Sequence, residues 1–195
     1  MAEQTSKSIR KQLKDYIPFN GQEAADKEIM LKLLKSTDNI FVRANEHVHF
    51  TASSWIVNEN RDKVLMVYHN IYDSWSWTGG HADGEENLLE VAIREACEET
   101  GIYHTRAISE DIFSIEIITV DGHQKKGRYV PSHLHLNVTY LIEANENDKL
   151  KIKPDENSGV KWFSFDEALT LPTEPWIVER VYKKLIEKLS KAQMG

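Results

Sequence analysis

The sequence predicts an α+β protein, an α/β/α sandwich built on a mixed β-sheet with a helical extension at its N-terminus. Three features carry that prediction. Segments rich in β-branched and aromatic residues lie on both sides of a central helix, a second helix with an apolar stripe closes the chain, and the first forty or so residues read as helix alone. Hairpin-like strand pairs argue against a purely parallel sheet, and the chain contains neither G-x-G-x-x-G nor a P-loop. The expected division is a helical extension over residues 1–42 and a main domain over 43–195.

Taken in order, Ile9, Leu13 and Tyr16 share one helical face, and Pro18 ends that segment. Asn20 followed by Glu23 has the spacing of a capping box and opens a helix that turns Ile29, Met30, Leu33 and Leu34 toward a core. From about His47 the texture becomes that of strands. "HFTASSWIVN" and "KVLMVYHN", separated by the polar "ENRD", read as a hairpin, and "DIFSIEIITV" and "HLHLNVTYLIEA" follow the central helix. "VKWFSF" is a further strand, leading to a short helix that Ser164 and Glu167 can cap reciprocally. The last helix begins near Thr173 and Pro175 and carries Ile177, Val181, Leu185 and Leu189 as its stripe.

The 195 residues suffice for one well-formed core. No apolar run approaches the ~20 residues of a membrane span, and "MAEQTSKSIRKQLKDYIPF" lacks the apolar centre of a signal peptide. The single cysteine, Cys97, excludes an internal disulfide, so a cytoplasmic protein is expected. A net charge of -7 argues against a nucleic-acid partner, and the basic group Lys125, Lys126 and Arg128 reads first as a solvated loop. The helical extension is a candidate for packing on the main domain, for dimerisation or for covering a site.

The chemistry concentrates in "GGHADGEENLLEVAIREACEETGI". On a helix, Glu95, Glu98 and Glu99 are i, i+3 and i+4, so three like charges crowd one face, while Leu89, Ile93 and Ala96 are expected on the opposite, buried one. A hard divalent cation such as Mg²⁺ or Mn²⁺ turns that repulsion into attraction and completes its shell with water and phosphate oxygens. Gly79 and Gly80 ahead of the helix allow close approach of the backbone to a ligand, and a carbonyl there can join the metal shell.

Gly80, Glu86, Arg94, Glu95, Ala96, Glu98, Glu99, Gly101 and Ile102 match G-x5-E-x7-R-E-U-x-E-E-x-G-U, where U is bulky and aliphatic; the chain thereby resembles the Nudix superfamily. It departs mildly at Ala96, has Thr78 where a proline is usual, and has Glu85 where a glycine is usual. The resemblance implies a Nudix fold and hydrolysis, with Mg²⁺ or Mn²⁺, of a nucleoside diphosphate linked to another moiety or of a nucleoside triphosphate. It makes Glu95, Glu98 and Glu99 metal ligands, the Gly79 carbonyl a further ligand, and Glu86 with Arg94 a structural pair. Some members take another carboxylate from a loop before a late strand. Glu156 has that placement, so Glu95 and Glu156 are both candidates for general base.

Along "HLHLNVTYL" the polar His133, His135, Asn137 and Thr139 alternate with apolar residues, a face suited to lining a substrate cleft and equally to facing solvent. Histidine coordination is disfavoured for an oxygen-only Mg²⁺ site. Trp75 or Trp77 is a candidate to stack on a base. "HFTASSW", "HNIYDSWSWTGGHADG" and "HLHLNVTYL" together resemble a bacterial Nudix subgroup with a GGH-x-DG loop. Subfamily signatures for ADP-ribose, dinucleoside polyphosphates, NADH and coenzyme A are missing, so the expected partner is a small nucleotide-like phosphorylated substrate. Two rivals are a Nudix-fold sensor without turnover, disfavoured by the intact box, and an isopentenyl-diphosphate isomerase, which needs a strand cysteine where this chain has only Cys97 in a helix.

Overall fold

The computed structural model describes residues 8–125 and 127–194. Lys126 of the predicted basic loop, and residues 1–7, lie outside them. Two helices come first, α1 (Ile9–Asp15) and α2 (Gly21–Ser36). Asn20 caps α2 by accepting from the Glu23 amide at 3.0 Å, but the Glu23 carboxylate accepts from Phe19 N–H at 2.7 Å rather than closing the box. Ile9, Leu13 and Met30 are buried in the same apolar cluster as the central strands, whereas Ile29, expected toward the core, is exposed.

An eight-stranded mixed sheet follows, built from β1 (Val48–Val57), β2 (Lys63–His69), β3 (Ser74–Ser76), β4 (Thr78–His81), β5 (Thr105–Ala107), β6 (Ser114–Val120), β9 (His133–Ala144) and β10 (Asn157–Ser164). The main path is β10-β2-β1-β9-β5; β3 pairs with β2, β4 with β1 and β6 with β9, while β7 (His123–Lys125) and β8 (Arg128–Val130) form a separate hairpin. Among the described residues, only β1 and β9 pair in parallel. The expected β1–β2 hairpin splays open: the strands meet at Val57 and Val64, after which β2 pairs with β10 and β3 while β1 accepts β4.

Alternation assigns the two sides of this sheet. Phe50, Ala52 and Ile56 with Leu136, Val138, Tyr140 and Ile142 face a cluster completed by α3 (Leu88–Thr100), α1 and α2. Trp55, Val57 and Leu141 face a second cluster completed by α4 (Phe165–Thr170) and the terminal helix, giving the expected α+β sandwich. Ser164 and Glu167 form the predicted capping box at α4. The terminal helix runs through α5 (Pro175–Ile177), a π-turn at Val178–Tyr182 and α6 (Lys183–Met194). That turn inserts a residue and shifts the stripe, so Val178, Val181, Tyr182, Leu185 and Leu189 are buried, while Ile177 is partly buried against the same cluster and also lines a cleft. Among the described residues, no helix is long and apolar enough to cross a membrane.

Every position of β1, and all but three of β9, is buried, although seven of these buried side chains, His49, Thr51, Ser53, Ser54, His133, Asn137 and Thr139, are polar. The cause is on the same face. His49, Thr51 and Ser53 of β1 and His133, His135 and Asn137 of β9 line a cleft of about 920 Å³ beyond the end of the second apolar cluster. The polar side of "HLHLNVTYL" is therefore not turned to bulk solvent.

Candidate active site

The cleft's chemistry begins where β4 crosses α3. At the crossing β4 has two glycines in tight surroundings: a Cβ on Gly80 would stand 2.4 Å from the Glu95 carboxyl carbon, and one on Gly79 would stand 2.5 Å from Ser53 Oγ. Glu95, Glu99 and Glu156 each offer a carboxylate oxygen within 4.8 Å of the others. Glu99 is only 5 % exposed, and the Gly79 backbone amide donates to it. The buried stripe of α3 is Leu88, Val91, Ala92 and Ala96, and Glu99 continues it. The acidic side thus lies beside the apolar stripe under β4 rather than opposite to it, and Leu89 and Ile93 are only partly buried.

Glu156 reaches this point because the loop before β10 is stitched to the end of α3. Lys151 N–H donates to Thr100 O at 2.8 Å, and Asn157 Nδ2 donates to Glu99 O at 2.9 Å. Gly101 makes the stitch possible twice over: it caps α3 with φ 75°, and a Cβ there would stand 2.7 Å from Lys151 Cβ.

Burial first, then the charges of Glu95 and Glu156, push the Glu99 carboxyl up to about 9. Burial, then Glu98, raises that of Glu95. Such a set cannot be fully ionised without a cation. Lys153, not singled out in the sequence, supplies one charge at the rim, 3.0 Å from both Glu98 and Glu156. Partial burial pulls its ammonium down, but hydrogen bonds and charge from Glu156 and Glu98 outweigh that and raise it.

Other residues that the sequence singles out lie apart from this set. Glu98 is not in the convergent set: at about 100° per residue it points roughly 100° away from Glu99, is exposed, and pairs with Lys153. Arg94 lies 3.4 Å from Glu95, and among the described residues no ion pair joins it to the exposed Glu86. Trp75 does not reach the cleft. Alternation on β3 puts Ser76 there and packs Trp75 edge-on against Phe163 and Tyr68, at 4.7 and 5.4 Å between ring centroids. Trp77, Tyr72 and Trp176 line the cleft instead.

His133, His135 and Asn137 do line the cleft, but Asn137 has no spare hydrogen-bonding capacity. Its Oδ1 accepts from Thr51 at 3.0 Å and Ser53 at 2.8 Å, and its Nδ2 donates to Glu116 at 3.0 Å and Thr139 at 3.1 Å. Through the fully buried Glu116 it joins an ionic network: Lys184 lies 2.9 Å from Glu116 and 3.2 Å from Glu23 of α2. Cys97 stays on α3, partly buried. His49 and His81 also line the cleft; no local sequence pattern groups them with His133 and His135, because only strand pairing brings them together.

The sequence matches the NUDIX domain family over residues 47–185. It is 26 % identical over 137 residues to a "Probable DHNTP pyrophosphohydrolase" of Lactococcus lactis subsp. cremoris, covering 70 % of this chain and 78 % of that protein. It is 30 % identical over 115 residues to the "Bis(5'-nucleosyl)-tetraphosphatase [asymmetrical]" of Rattus norvegicus, covering 58 % and 71 %. A C. elegans Ap4A hydrolase solved as a binary complex shares the fold at TM-score 0.53 and 20 % identity, over 75 % of this chain and 98 % of that one.

Proposed function

The chain belongs to the Nudix family and is a hydrolase of pyrophosphate bonds, and on that premise we propose that it is a divalent-cation enzyme cutting a phosphoanhydride in a ring-bearing polyphosphate of nucleotide type. The observation that carries this reading is the convergence of Glu95, Glu99 and Glu156 beneath a glycine strand, with Glu99, Gly79 and Gly80 lining the cleft. Three carboxylates, one of them deeply buried, are a donor set that fits Mg²⁺ or Mn²⁺. Held there, with Glu98 close by, the ion supplies charge neutralisation on the diphosphate oxygens and acidifies water.

The protein's own groups have separable tasks. Glu99, buried and fixed by the Gly79 amide, suits holding rather than moving a proton. Glu95 and the more open Glu156, whose carboxylates converge on that of Glu99, are the two groups that can act as base. Lys153 balances the rim carboxylates between turnovers. Trp77, Tyr72 and Trp176 offer aromatic faces to a base, in keeping with the nucleosyl tetraphosphate in one relative's name. We place the chain in the GGH-x-DG subgroup on Gly79–Gly84.

A panel of nucleoside triphosphates, dinucleoside tetraphosphates and nucleoside diphosphate derivatives, assayed with Mg²⁺ and Mn²⁺ beside Glu99→Gln, tests the reading. Cation-dependent release of phosphate or a nucleotide, abolished in the variant, is expected. Undiminished activity in Glu99→Gln refutes the assigned role.

A further inference from the structure

The cleft contains a second set of convergent side chains, made of nitrogen rather than oxygen donors. His49 on β1, His81 at the end of β4, and His133 and His135 on β9 each offer a ring nitrogen, all within 4.8 Å of one another. Topology gathers them. β1 and β9 run parallel with His49 beside His135, His133 lies two residues back on the same face, and β4 sets His81 opposite Thr51. Ring centroids of neighbouring members are 4.9–5.1 Å apart.

Backbone hydrogen bonds decide which nitrogens face a ligand. His49 Nδ1 lies 2.9 Å from the Asn45 carbonyl and His133 Nδ1 2.9 Å from the Pro131 carbonyl. A carbonyl only accepts, so Nδ1 bears the hydrogen in both rings and Nε2 of the neutral ring is a lone pair. His49 is 3 % exposed, and its Nε2 is buried with no hydrogen-bond partner. His133 Nε2 stands 3.1 Å from His135 Nε2. Imidazoles oriented by a carbonyl on one nitrogen, with the other nitrogen turned toward its neighbours, are arranged as metal-binding histidines are. Nitrogens around a tetrahedral Zn²⁺ stand about 3.4 Å apart, and the His133–His135 separation is already near that value.

We propose that His49, His81, His133 and His135 form a second metal site, for Zn²⁺ or another late first-row transition dication, separate from the carboxylate centre. Four imidazoles without an oxygen donor select against Mg²⁺. Four protein ligands also close the shell, so the ion is structural: it ties β1, β4 and β9 together one residue from Gly80, the strand position on which Glu95 rests.

The test strips the full-length protein of metal and titrates Zn²⁺ in excess Mg²⁺, with Co²⁺ as an optical probe. One equivalent of Zn²⁺, a raised Tm and the intense visible bands of tetrahedral Co²⁺ are expected. His81→Asn and His135→Asn, both at half-buried positions, should weaken Zn²⁺ binding at least about tenfold, while Glu99→Gln retains it. Failure to hold Zn²⁺ against Mg²⁺, undiminished binding in both histidine variants, or loss of binding in Glu99→Gln overturns the proposal. If the histidine variants do not fold, the wild-type Co²⁺ spectrum decides, and a weak six-coordinate spectrum refutes the site.

Discussion

Replacing Gly80 with alanine adds one methyl group and tests how the proposed centre is held. The new Cβ would lie 2.4 Å from the Glu95 carboxyl carbon, whereas carbon atoms rest about 3.5 Å apart at closest comfort. The difference, about 1.1 Å, must be absorbed. The Gly80 backbone is that of an ordinary strand residue, without the left-handed φ of Gly84 or Gly101, so alanine itself is not strained there. The end of the Glu95 side chain is the softest neighbour and should swing aside. Displacement of a catalytic group by about 1 Å costs on the order of 10²-fold in rate. Gly80→Ala should therefore lose about two orders of magnitude in kcat while retaining the circular dichroism and, within a few degrees, the Tm of the wild type. Steady-state kinetics beside differential scanning fluorimetry gives both numbers. Full activity would refute the inference that Glu95 must occupy the space under Gly80; loss of folding would show that the strand, not the carboxylate, depends on this glycine.

Two further perturbations address burial. In the metal-free protein the Glu99 carboxyl is raised from 4.5 to about 9, so between those values the folded state holds a proton that the unfolded state releases. Stability should fall as pH rises through that window, by at most about 1.4 kcal/mol per pH unit. Urea unfolding in EDTA at pH 6, 7 and 8 should show this slope in the wild type but not in Glu99→Gln; parallel pH profiles for the two would contradict it. Asn137→Ala should destabilise by about 1–3 kcal/mol, because buried Thr51, Ser53 and Glu116 lose their shared partner. A variant with wild-type urea midpoint and altered KM would instead make Asn137 a substrate contact.

The sequence alone determined the helix that carries the acidic residues, the glycines ahead of it and the class of chemistry. These are local matters: helical periodicity places Glu95 and Glu99 about 40° apart whatever the rest of the chain does, and Gly101 ends α3 by its own left-handed preference. Strand identities were readable for the same reason, since β-branched runs declare themselves within a few residues. Tertiary structure decided which carboxylates meet. Glu98 is three residues from Glu95 yet turns out to Lys153, while Glu156 arrives from a loop far along the chain through the Gly101–Lys151 contact. It also put Trp75 into packing and Trp176 into the cleft, through the side that each element turns to the sheet. The four histidines make the same point: no local pattern joins residues 49, 81, 133 and 135, and only the register of one parallel and one antiparallel strand pair brings their rings together. Backbone propensity acts over a few residues, but a site's donor set depends on distances fixed by packing between segments that the sequence keeps apart.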